Sequence, residues 1–134
     1  MARRALVSQP GFTLLEVLVT ILLFTIGMLG TLVLTTGVMR GNFFSKNITS
    51  ATAIAQTTLE GAQKAGYAGV DAFVADSSKV PPNVTAGGVN FSQTATAVNG
   101  SPASGMKTIS VIVSWNEANN APRTVNLETI LAQQ

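Results

Sequence analysis

The chain has no cysteine and no histidine among its 134 residues. Without cysteine, no disulfide can staple a small fold. Without either residue, the commonest metal-binding and acid–base constellations are excluded. Proline is absent between Phe12 and Val80, so no proline kinks a helix there. A distributed positive charge is missing too. Of eight Lys and Arg, Arg3 and Arg4 precede Phe12, and the other six balance the six acids. The net charge of +2 therefore belongs to the first few residues and is not the basic stripe of a nucleic-acid binder.

What is present is a long apolar run. Residues 17–39 are 23 uncharged, mostly apolar positions. As a helix they would extend about 35 Å, enough to cross a bilayer core. Glu16 stands at the head of the run and is the only ionisable side chain from Gly11 to Met39. A carboxylate at the centre of a span costs about 2.5–3.5 kcal/mol, and less near an end. An acid kept there marks a functional site by default and calls for a partner.

The residues before the run, MARRALVSQPG, carry two arginines and no acid. A secretory signal has a shorter apolar stretch and small residues after it. Here Val38, Met39 and Arg40 follow Gly37, a poor cleavage site. The small residue at a clear boundary is Gly11, before the run. Arg3 and Arg4 should hold that end in the cytoplasm, although Arg40 and Lys46 beyond the run weaken the asymmetry.

Gly11-Phe12-Thr13-Leu14-Leu15-Glu16, followed by an apolar helix, resembles the class III leader of type IV pilins and pseudopilins. The resemblance implies cleavage after Gly11 by a prepilin peptidase, which then N-methylates Phe12. It gives Glu16 a role in assembly. Cleavage would place an ammonium on Phe12, four residues from Glu16. A neighbouring subunit's amine would offset the lost hydration of the Glu16 carboxylate and set the axial register between subunits. The other reading is a side chain that snorkels to the headgroups.

Beyond Arg40 the pattern turns amphipathic. Ile48, Ala51, Ala55, Leu59 and Ala62 form one helical stripe, and Gly66 and Gly69 around Tyr67 mark a stop. Gly27, Gly30, Gly37 and Gly41 interrupt the helix. They are candidates for close helix packing or for local flexibility, against the ordinary tolerance of glycine in membrane helices. Many pilins bend this segment with a proline, which is missing here, so the glycines are the candidate flexible points.

The rest is short of charge and rich in turn formers. Pro81-Pro82-Asn83 and Gly87-Gly88 signal loops. Residues 89–98 alternate weakly, with Val89, Phe91, Ala95 and Ala97 on one side. The stronger strands are 106–115, with Ile109, Val111, Val113 and Trp115 on one face, and 123–131, with Val125, Leu127, Thr129 and Leu131. The Asn116–Pro122 loop joins them as an antiparallel hairpin that covers the helix stripe. Trp115 is expected as a core anchor, with a surface contact as the alternative.

The expected fold is thus α+β: a long N-terminal α-helix, first transmembrane and then amphipathic, packed on a small antiparallel β-sheet. The divisions are a leader at 1–11, a transmembrane half at 12–40, an amphipathic half at 41–66 and a small β-rich domain at 67–134. With about 68 residues and no disulfide, that domain must borrow the helix face for its core.

The layout resembles PilV-type minor pilins, and the minor pseudopilins of type II secretion resemble it over the same helix. The implied function is a structural or priming subunit of a type IV pilus. It would be held in the inner membrane with the leader in the cytoplasm and the β-rich domain in the periplasm, then built into a surface filament. Its partners would be other pilins or pseudopilins, the peptidase/methyltransferase and the membrane, with no nucleic acid and no cofactor. A single-span anchored binding module is the alternative of a different class. An enzyme is not expected. Asp71, Asp76, Glu117 and Glu128 are scattered, and Asp71 with Asp76 is too sparse a pair to argue for calcium.

Overall fold

The computed structural model describes residues 11–117 and 121–133. Most of the leader and the centre of the Asn116–Pro122 loop, residues 118–120, lie outside them. One helix, α1 (Leu14–Ala75), precedes four strands: β1 (Asn83–Ala86), β2 (Val89–Asn99), β3 (Met106–Asn116) and β4 (Pro122–Ala132). The strands form one antiparallel sheet in the order β1-β2-β3-β4. The chain divides into two compact units between Gly41 and Asn42.

In the first unit every described residue is exposed. Its 18-residue window of mean hydropathy 2.6 is long and apolar enough to cross a membrane. A helix apolar on all sides suits lipid or other apolar helices rather than water. The threonine hydroxyls donate back to carbonyls one turn earlier: Thr20 to Glu16 O at 2.6 Å, Thr25 to Ile21 O at 2.7 Å and Thr35 to Thr31 O at 2.9 Å. Each hydroxyl proton is thereby satisfied within its own helix, as a lipid environment demands.

In the second unit α1 lays its small residues on the sheet. Ala51, Ala55, Thr58 and Ala62 are buried against Phe91, Ile109, Val111, Val113 and Trp115. Short side chains on the helix let it approach closely, and the sheet supplies the bulk, so the two surfaces interdigitate. The 109–115 face is buried throughout, whereas Val125, Leu127 and Leu131 on the edge strand β4 are only half-buried. Gln93 shares the inner face of β2 and is buried beside Thr58, whose hydroxyl lies 3.2 Å from Gln93 Oε1 and 3.1 Å from Ile54 O. One hydroxyl proton serves only one of these acceptors at a time.

The stop at Gly66 is real but brief. Gly66 adopts φ 69°, ψ 178°, and helix resumes from Tyr67 to Ala75, inside the segment read as β-rich. That backbone region is essentially reserved for glycine. Gly69 remains helical, and Val70, one residue on, is buried. The resumed segment packs back on α1. A Cβ at Gly61 would lie 2.5 Å from Phe73 Cζ. Gly61→Ala should therefore destabilise this unit by about 1–3 kcal/mol, as overpacking does. Phe73→Leu in the same chain should recover part of the loss. Thermal unfolding of the single and double variants measures both, and an additive double variant would refute the contact.

After Ala75, Asp76 closes a turn. Its Oδ1 accepts from the Ser78 hydroxyl at 2.6 Å and from the Ser78 backbone N–H at 2.9 Å. The hydroxyl first, and the backbone N–H second, hold the carboxyl below its ordinary range. A carboxylate lowered by folding stabilises at neutral pH, and this contribution fades as pH falls through the lowered value. Ser78→Ala should raise the Asp76 titration midpoint, read by NMR. An unchanged midpoint would mean that the hydroxyl does not set it.

Two expectations are sharpened. Gly87 and Gly88, both at positive φ, are the two-residue turn of a hairpin that pairs Ala86 with Val89. The short strand β1 before that turn falls where a loop was expected. Strands β2, β3 and β4 lie where the alternation placed them, to within one residue at each end.

Candidate processing and assembly site

The motif residues fall at the helix start. Gly11, Phe12 and Thr13 precede α1, exposed and non-helical. Phe12 is 83% exposed, so no described residue covers its ring. Thr13 is the N-cap. Its Oγ1 accepts from the Glu16 backbone N–H at 3.2 Å, and its carbonyl accepts from Glu16 N at 3.1 Å and Val17 N at 3.2 Å. Thr13-x-x-Glu16 is the spacing of a capping box. Glu16 thus stands in the first turn, where the helix dipole favours an anion. Among the described residues its carboxylate has no ion-pair partner. The cap was missed by reading Glu16 only against the membrane, although the Thr-x-x-Glu spacing signals it.

Gly27, Gly30, Gly37 and Gly41 lie along the exposed helix, and a Cβ at any of them would meet nothing within 4 Å. Among the described residues, then, no contact requires glycine at these positions.

Trp115, the fourth residue named on the β3 face, is 4% exposed. Its ring centroid is 5.8 Å from that of Phe91. Its indole Nε1 is buried with no partner among the described residues. Nearby in sequence, Glu117 Oε2 meets Arg123 Nε at 3.6 Å, and the Arg123 guanidinium lies 5.3 Å over the Phe44 ring. This group ties the β3–β4 connection to the helix at Phe44.

Lys107 is the polar residue that sequence reading passed over. It is 5% exposed on the inner face of β3. Its Nζ donates to Tyr67 O at 2.8 Å and to Asp71 Oδ2 at 2.7 Å, and lies 4.4 Å from the centre of the Tyr67 ring. The ammonium clamps the resumed helical segment to the sheet directly after the Gly66 break. Asp71 and Asp76 therefore have separate tasks, one on Lys107 and one on Ser78 and Lys79. A cavity of about 450 Å³ opens beside the break, lined by Gln63, Gly66, Tyr67, Ala68, Leu131, Ala132 and Gln133. That lining offers a phenol and two amides but no nucleophile–base pair.

The helix start presents an exposed amide at Gly11–Phe12, a capped helix behind it, and a carboxylate at the head of an apolar span. A family model described as the prokaryotic N-terminal methylation motif matches residues 7–32. No curated protein and no solved structure matches the chain at a significant level. The motif supports a protein of the type IV pilin or pseudopilin kind, and the long apolar helix and four-stranded antiparallel sheet agree with it.

Proposed function

We propose that this chain is a minor pilin, a structural or priming subunit of a type IV pilus. A prepilin peptidase cuts after Gly11 and methylates the Phe12 amine. The apolar half of α1 holds the protein in the inner membrane, leader in the cytoplasm and β-sheet unit in the periplasm, until assembly. In the filament the same apolar helix packs against those of neighbouring pilins. Head-to-tail contacts of this kind build an open helical polymer rather than a closed ring.

One observation carries this reading. The methylation motif coincides with a capped helix start whose sole acid heads a fully exposed apolar span. A lone helix of that composition has no stable place in water, and a filament core of parallel helices gives it one. The test is mass spectrometry of sheared surface filaments from the native host. A peptide beginning at methylated Phe12 supports the proposal. The same peptide confined to membranes favours a type II secretion pseudopilin. A chain that keeps its leader in every fraction refutes processing.

A further inference from the structure

We propose that Thr13 is a positioning residue for leader cleavage: its cap ends α1 two residues short of the scissile bond and keeps the Gly11–Phe12 amide out of the helix. The proposal rests on the processing reading above and adds a residue to it.

The argument starts from the hydrogen bonds. The first carbonyl engaged by the helix is that of Thr13, which accepts from Glu16 N and Val17 N. Among the described residues no backbone N–H donates to the carbonyl of Gly11 or Phe12. Gly11, Phe12 and Thr13 have no helical assignment. Hydrolysis of this bond adds water across the amide, with hydroxyl to the Gly11 carbonyl carbon and a proton to the Phe12 nitrogen. The attacking water needs an open approach to that carbonyl, and the leaving amine needs room to take its proton. Inside a helix the Gly11 carbonyl would accept from the Leu15 N–H one turn on, and neighbouring turns would crowd it.

Helix propensity alone would not stop the helix at Thr13. Leu14, Leu15 and Glu16 are good helix formers, and Phe12 tolerates a helix. Gly11 is itself an acceptable N-cap. Without the threonine oxygen, Gly11 becomes the better cap. The helix then grows backward by two residues, and its first bond takes up the scissile carbonyl. Thr13 disfavours that alternative by holding the Glu16 N–H between its Oγ1 and its own carbonyl. The cap therefore acts on the fraction of chains whose amide is open to the peptidase. Such a fraction enters apparent affinity directly.

The test is cleavage of the full-length chain in membrane vesicles by the host's prepilin peptidase, with kcat and KM measured separately. Thr13→Val keeps the branched shape and removes the acceptor. Thr13→Ser and Thr13→Asn keep an acceptor in two different shapes. The Val variant should lose about fivefold in kcat/KM, mostly through KM, the change that a lost N-cap of typical strength implies. Ser and Asn should restore cleavage. In the same chains, the Gly11 carbonyl carbon shift, read by NMR in micelles, should move toward helical values only in the Val variant. A Val variant cut like wild type overturns the proposal. So does an Asn variant as slow as Val, because the peptidase would then be reading the threonine itself. If the wild-type chain is not cut, the processing reading fails and this proposal fails with it.

Discussion

Trp115→Ala is expected to destabilise the second unit by about 3–5 kcal/mol, the range for truncating a buried aromatic. A small domain has only about 5–15 kcal/mol in total, so this one change removes a large share. The indole is 4% exposed and packs on Phe91, itself fully buried, at the end of the β3 inner face. No disulfide is present to absorb the loss. Trp115→Phe should cost clearly less. It keeps a ring against Phe91 and removes an indole N–H that is buried without a partner among the described residues. Amide hydrogen exchange of β3 in the full-length protein, in detergent, ranks wild type, Phe and Ala. An Ala variant within about 1 kcal/mol of wild type would show that Phe91 and the small-residue helix face suffice, below the usual range for such a truncation.

Much of this core was readable because its signals are periodic. Ile109, Val111, Val113 and Trp115 alternate without a fault, and Ala51, Ala55 and Ala62 repeat at helical spacing. Such patterns reflect burial directly, so they survive folding. Lys107 was not read as inner although it keeps the same phase as Ile109. A lysine is taken for solvent unless its partners are known, and those partners, Tyr67 O and Asp71, lie about 40 residues away in sequence. The same holds for Gln93, which occupies an inward position of β2 between Phe91 and Ala95 and finds its polar neighbour only on α1.

The resumed helix after Gly66 was hidden for another reason. Two glycines close together look alike in sequence, yet Gly66 takes a positive φ and Gly69 does not. What separates them is tertiary. Val70 is buried and Phe73 fills the space over Gly61, so the segment is held as helix by packing that no local pattern records. At the helix start the balance runs the other way. The Thr13 cap is a local signal, and it was passed over because the charge of Glu16 invited a long-range explanation.

Glu16→Ala should leave insertion and cleavage intact and reduce incorporation into filaments by at least about tenfold. Removing one member of a desolvated charge pair costs several kcal/mol, and each 1.4 kcal/mol is tenfold in an association constant. The expectation follows from where the carboxylate sits. In a single chain Glu16 is exposed, without an ion-pair partner among the described residues, at the head of an apolar span. Packing such helices together would strip its water, and the amine freed on a neighbour's Phe12 can replace it. The alanine variant also changes the third helical residue behind the Thr13 cap, which confuses helix start with charge. Glu16→Gln separates the two, because glutamine serves at the third helical position of a capping box but carries no charge. If the charge pair governs assembly, Gln should fail with Ala while both are still cut after Gly11. If Gln assembles like wild type, the side chain acts through the helix start, and no inter-subunit ion pair is needed. If both variants assemble normally, Glu16 only reaches for the headgroups. Filament yield, with the processed fraction measured from the same cells, decides among these outcomes.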